Sequence, residues 1–249
     1  MITKATFVFS LLAATLAGGA PAGAVVGATD DGERFANQVV MVLTREDDKA
    51  GFCTGVVLGP RIVLTAAHCL RAARDMAVHY RDEAGRPVLV PVAAAAAHPL
   101  YRADAIAKRE ASIDLGLVET QTPLPQRFDK ARLASGDGPP VGDTAILAGY
   151  GLGREGDPKT GGSLRSAPLE VRAPLSLILL WLRDARQNGA GACSGDSGGP
   201  LFSSEGESVL AIVAWTSGPR GSHCGGLTQG VLVAPQREWI DATIARWSP

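Results

Sequence analysis

Apolar and polar positions alternate in short runs along most of the chain, and glycine, proline or charge closes each run. Residues 37–44 and 52–58 are apolar and rich in valine, and the charged segment 45–49 between them reads as a turn. Gly59-Pro60-Arg61 is a second turn, after which residues 62–66 predict a buried strand ending just before His68. Residues 76–80 and 86–93 predict a hairpin around Glu83-Ala84-Gly85, and residues 115–119 and 144–149 predict two more strands. A glycine-rich loop then runs to Gly162, and residues 169–171, 201–203, 209–215 and 230–233 supply the last strands. Many short strands joined by glycine and proline turns predict an all-β sandwich or barrel. Residues 175–182 read as a strand running into a short helix. From Pro235 the period changes. Trp239, Ile240, Ile244 and Trp247 recur at helical spacing, which predicts a terminal helix whose tryptophans join a buried stripe.

Composition narrows the class. The 249 residues suffice for one large or two small domains, and the formal charge of −1 gives no reason to expect nucleic acid or an anionic membrane as partner. Residues 1–24 differ from the rest: Lys4, an apolar run from Phe7 to Ala17, and an Ala22-Gly23-Ala24 ending. That pattern predicts a secretory signal peptide, and the apolar run is shorter than the ~20 residues needed to span a bilayer. The expected location is therefore secreted or periplasmic, with residues 25–249 as the folded protein. Four cysteines in an exported chain imply two disulfides with three possible connectivities. No Cys-x-x-Cys and no convincing calcium loop occur, so neither a metal nor a cofactor is expected.

The chemistry centres on Gly191-Ala192-Cys193-Ser194-Gly195-Asp196-Ser197-Gly198-Gly199-Pro200. A serine among glycines has an exposed hydroxyl that backbone can approach closely. The run also fits the Gly-x-Ser-x-Gly elbow of α/β-hydrolases, which needs an acid and then a histidine downstream. After Ser197 the only histidine is His223, and the only later aspartate, Asp241, follows it. A glutamate such as Glu205 or Glu207 stands too close to His223 for separate strands, so chain order disfavours the elbow. Upstream lie Leu64-Thr65-Ala66-Ala67-His68-Cys69 and Ser112-Ile113-Asp114-Leu115-Gly116-Leu117, giving the order histidine, aspartate, serine.

With these three motifs in that order, the chain resembles the trypsin/chymotrypsin-like serine peptidases from residue 25 to about residue 247. The resemblance implies two six-stranded antiparallel Greek-key barrels with a C-terminal helix and a site in the cleft between them. It implies catalysis by His68, Asp114 and Ser197, an oxyanion hole from the N–H groups of Gly195 and Ser197, and disulfides Cys53–Cys69 and Cys193–Cys224. Gly195 is expected because backbone must face substrate without a Cβ. His79, His98 and His223 lack such context and are expected to be structural or exposed.

Two departures from the family pattern stand out. Ala214 replaces the serine that supports the catalytic aspartate in most relatives, and the loop 101–114 is longer than usual, with Arg102, Lys108 and Arg109. The expected pocket walls are Gly191, Ser194, Ala214, Trp215, Thr216 and Gly230. Gly191 stands where trypsin-like members carry an aspartate, so small or medium apolar residues are expected before the cleaved bond. An acidic preference through Ser194, Thr216 and His223 is the lesser alternative. Val25-Val26-Gly27-Ala28 matches the activating amino terminus of relatives, with Asp196 as partner, and signal cleavage before Val25 would free it. The reading is a secreted, monomeric serine endopeptidase acting on proteins or peptides. The alternative is a catalytically weak or silent binding or regulatory protein on the same fold.

Overall fold

A computed structural model describes residues 25–27, 32–108 and 110–247. The expected signal peptide, residues 1–24, lies outside the described residues, as do Ala28 and Arg109.

The strand-forming runs close into two six-stranded barrels. The first contains β1 (Val39–Glu46), β2 (Lys49–Gly59), β3 (Ile62–Thr65), β4 (Met76–Arg81), β5 (Pro87–Ala97) and β6 (Gly116–Thr120), in the order β1-β2-β3-β6-β5-β4. The second contains β7 (Thr144–Gly149), β8 (Arg165–Arg172), β9 (Leu179–Arg183), β10 (Pro200–Ser203), β11 (Val209–Ser217) and β12 (Leu227–Leu232), in the order β10-β11-β12-β9-β8-β7. All twelve strand pairs are antiparallel. Closure leaves no barrel edge open to pairing with another chain.

The valine-rich periodicity is what fills these barrels. Val40, Val42, Val57, Val63, Val78 and Val118 form the core of the first, and Leu147, Leu169, Leu182, Leu201 and Val213 that of the second. A third cluster spans both barrels: Leu64 and Leu117 from the first meet Ile146 and Ile212 from the second. Phe35 stacks on Phe202 there, with ring centroids 4.4 Å apart. Burying such a side chain stabilises by about 1.5–3 kcal/mol, so this seam helps hold the two barrels together around the site.

A short helix α1 (Ala105–Lys108) sits in the long loop before Asp114, and α2 (Arg237–Trp247) ends the described chain. Ile240 is fully buried, and Trp239, Ile244 and Trp247 pack partly buried beside it, as the helical spacing required. The stretch 175–182 departs from its expected strand-into-helix form. The Ser176 hydroxyl accepts from the N–H groups of Ile178 (3.1 Å) and Leu179 (3.2 Å), which makes a turn. Leu180 and Leu182 then point alternately inward as β9 fills the gap between β8 and β12. Barrel closure overrides the helical reading of a leucine run.

Candidate active site

The fully buried β3 and the following turn Ala67–Cys69 carry His68 to the barrel junction. Cys53 and Cys69 are bonded across that turn, with Cα atoms 6.2 Å apart. Asp114 is set by its buried neighbours Ile113 and Leu115; the Leu115 carbonyl accepts from His98 N–H at 2.9 Å. One Asp114 oxygen accepts the His68 backbone N–H at 2.9 Å, and the other lies 2.6 Å from His68 Nδ1. An ionised carboxylate only accepts, so Nδ1 carries the proton and Nε2 keeps its lone pair for the cleft. Position 214, half-buried at the same cleft, is alanine and offers no hydroxyl.

The nucleophile loop is pinned peptide by peptide. The Ser194 carbonyl accepts from Leu152 N–H (2.8 Å), and the Gly195 carbonyl from the Thr54 hydroxyl (2.8 Å). The Asp196 carbonyl accepts from Gly199 N–H (2.9 Å), and the Ser197 carbonyl from Thr54 N–H (2.8 Å). On the donor side, Asp196 N–H bonds the Cys193 carbonyl (3.0 Å) and Gly198 N–H the Val213 carbonyl (2.7 Å). The N–H groups of Gly195 and Ser197 take no partner among the described residues. In a trans peptide the N–H points opposite its carbonyl, so fixing the two preceding carbonyls fixes the aim of these free donors. Gly195 is required for a different reason than substrate access. Its φ is +96°, and a Cβ would run into the Phe52 ring.

Asp196 is completely buried between the two N–H groups that reach it, Gly151 (2.8 Å) and Cys193 (2.9 Å). Burial pushes its carboxyl up to about 7 despite these bonds. A Cβ on Gly149 or Gly151 would collide with the carboxylate, which explains both glycines of the Gly149-Tyr150-Gly151 turn. Val25 is also fully buried, in the second barrel's core, and the Val26 carbonyl accepts from Gly191 N–H at 3.0 Å. Cys193 and Cys224 are bonded, tying the nucleophile loop to the segment after β11.

His68, Asp114 and Ser197 line one cleft of about 530 Å³. Among the described residues the Ser197 hydroxyl makes no hydrogen bond; in unliganded sites the bond to the base is often long or misaligned. Ser194, Ala214, Trp215 and Thr216 line the same cleft. Gly191 lies buried beyond its floor, and Gly230 lies elsewhere: it pairs with Val213, and a Cβ there would meet Leu201 and Ala211. The residue facing Thr216 across the ladder is Thr228, which the sequence did not single out. The opposite wall is the long loop, through Tyr101, Arg102 and Ala105, with Ser176 and Ile178 facing it. The loop's charges pair among themselves, Arg102 with Glu110 at 3.4 Å and Lys108 with Asp104. The other histidines stay outside. His98 is buried at the edge of Trp239, where burial lowers its pKa; His79 bonds the Val88 carbonyl; His223 is exposed.

Two antiparallel barrels with an aspartate-held histidine and a glycine-flanked serine at their junction define the architecture of trypsin-like serine proteases. A family model described as trypsin matches residues 25–240, and the chain belongs to that family. It is 26% identical over 245 residues to trypsin eta of Drosophila melanogaster, covering 88% of this chain and 87% of that protein. Among solved structures, the mouse serine protease neuropsin superposes with a TM-score of 0.66 at 23% identity, covering 82% of this chain and 93% of that one. A scabies mite inactivated protease paralogue gives 0.70 at 23% identity, covering 90% and 99%. At these identities the two structures speak for the fold.

Proposed function

We propose that the chain is an exported serine endopeptidase that cleaves through an acyl-enzyme, after small or medium apolar residues. The carrying observation is the conjunction of an Asp114-held His68, Ser197 on the same cleft, and two unspent N–H groups in the pinned loop. Ser197 Oγ attacks the scissile carbonyl carbon as its proton passes to His68 Nε2, and Asp114 stabilises the imidazolium. The carbonyl oxygen becomes an oxyanion facing the Gly195 and Ser197 N–H groups, each worth about 3–4 kcal/mol in comparable sites. His68 then protonates the leaving amine, and water repeats the sequence on the acyl-enzyme.

Pocket chemistry supports the apolar preference. Gly191 brings no carboxylate to its position, and a Cβ there would already lie 3.2 Å from Gly225 Cα and 3.3 Å from Thr228 Oγ1. The Thr216 hydroxyl, with its one proton, lies in donating reach of the Ala192 (3.0 Å) and Leu227 (3.1 Å) carbonyls, and Thr228 accepts from Ala192 N–H (3.0 Å). With its single proton taken by a backbone carbonyl, Thr216 is poorly placed to recognise an acidic side chain. Activation belongs to the same reading: cleavage before Val25 frees an α-amine to pair with Asp196, whose buried carboxylate has no cationic partner among the described residues.

The second reading, a catalytically weak or silent binding protein, rests on Ala214 and on the existence of an inactivated relative of this fold. Hydrolysis of a peptide library by the purified protein, with Ser197→Ala as control, separates the two. Cleavage after alanine, valine or leucine that vanishes with Ser197 is expected; no cleavage by correctly folded protein would favour the silent reading.

A further inference from the structure

Thr54 follows a disulfide cysteine on β2 and has no chemical signature in the sequence, yet it holds the nucleophile loop at two points. Its N–H donates to the Ser197 carbonyl and its hydroxyl to the Gly195 carbonyl, both at 2.8 Å. The same hydroxyl accepts from Tyr150 N–H at 3.0 Å, and the Thr54 carbonyl accepts from the Thr65 hydroxyl at 2.8 Å. The side chain is completely buried, so water cannot substitute for any of these bonds without repacking.

The hydroxyl's position matters because of what it holds. The Gly195–Asp196 peptide lies between the two N–H groups that have no partner, and its carbonyl is fixed by Thr54 alone among the described residues. Gly195 is a glycine in a left-handed conformation at φ +96°, with no side chain of its own to hold its dihedrals. Without the Thr54 bond, that peptide is held only through the Asp196 N–H on the Cys193 carbonyl and can tilt about Gly195 ψ and Asp196 φ, which changes the direction of the Gly195 N–H relative to the Ser197 N–H. Moreover, Thr54 belongs to the first barrel, whereas Gly195 and Ser197 precede β10 and Tyr150 follows β7 of the second. The His68–Asp114 pair comes from the first barrel as well, so this hydroxyl ties the donors' loop to the barrel that carries the base.

We propose that Thr54 is a positioning residue of the oxyanion hole: from across the barrel seam its hydroxyl fixes the Gly195–Asp196 peptide that joins the two donors, and so sets how the Gly195 and Ser197 N–H groups stand to each other. It touches no reacting atom. The proposal rests on the protease reading, and its structural half can be tested apart from it.

The experiment compares the purified native protein with Thr54→Ser, which keeps the hydroxyl, and Thr54→Ala, which removes it. In 15N-labelled protein the Gly195 and Ser197 amide signals should shift or broaden in Thr54→Ala and stay near native positions in Thr54→Ser. In steady-state hydrolysis Thr54→Ala should lower kcat by about ten- to a hundredfold, less than the loss of a whole donor, with KM changed less than about threefold. Thr54→Ser should stay within about threefold of native kcat. Binding of a peptide aldehyde, whose hemiacetal oxygen occupies the hole, should weaken in step with kcat. Equal amide signals in all three proteins would overturn the clamp, and so would equal kcat in Thr54→Ser and Thr54→Ala. If the native protein shows no turnover, the protease reading fails while the amide signals still decide the clamp. If Thr54→Ala does not fold, loss of kcat in Thr54→Ser to below a tenth of native overturns the proposal, because the hydroxyl is still present there.

Discussion

While the Ala24–Val25 bond is intact, stability should fall as pH rises, and Asp196 should be the cause. Its carboxyl is pushed from 3.8 up to about 7 by burial, against the opposing pull of two N–H groups. Between those values the native state keeps the proton and the unfolded chain has lost it, so stability declines from about pH 4 and levels off above about pH 7. A shift of about three units corresponds to a loss of about 4 kcal/mol, at ~1.36 kcal/mol per unit. Other carboxylates have their own slopes, so the assay is a difference: urea unfolding by tryptophan fluorescence from pH 4 to 8, native against Asp196→Asn, both uncleaved. The native protein should lose several kcal/mol relative to the variant across that range. Once Val25 carries a free α-amine, the loss should shrink. Pairing raises the amine above its usual ~7.7–8.0, so its stabilisation is full below that value and disappears as pH climbs through the raised one. Parallel pH profiles for the uncleaved native and Asp196→Asn proteins would refute the argument that burial leaves this carboxylate without compensation.

Two further outcomes follow from the cleft walls. Thr216→Gly combined with Thr228→Gly removes the cleft-lining Thr216 and the threonine paired with it beside Gly191, and a peptide library should then show cleavage after phenylalanine rising at least about tenfold relative to alanine. Ala214→Ser places a hydroxyl at the half-buried cleft position that relatives use to support the aspartate, and kcat should rise by up to about tenfold with little change in KM.

The sequence and the structure agree where a local pattern decides the outcome. The short apolar, valine-rich runs of β1, β2 and β3, bounded by turn residues, need nothing beyond the chain itself to specify buried strands, and the order His68, Asp114, Ser197 names a chemistry. The run 175–182 differs from its expected form because its five leucines carry no single helical or strand period; only the vacancy between β8 and β12 makes its second half a strand. Gly230 was placed in the pocket, and Thr228 missed, for a subtler reason. The β11–β12 register shifts between Val213 and Trp215, so Val213 faces Gly230 while Thr216 faces Thr228. A bulge of one residue re-aims every side chain after it, and nothing in the sequence marks its position. Thr54 was invisible because its role depends entirely on carbonyls far away in sequence.

The most direct measurement is intact-mass and peptide-map analysis after treating the purified protein with a fluorophosphonate. The probe needs a serine activated by a neighbouring base and donors for its phosphoryl oxygen, so it reads His68, Ser197 and the pinned loop together. A single adduct on Ser197 is expected, absent from Ser197→Ala and strongly slowed in His68→Ala. A folded native protein that takes no adduct, or takes one at another serine, would contradict the account.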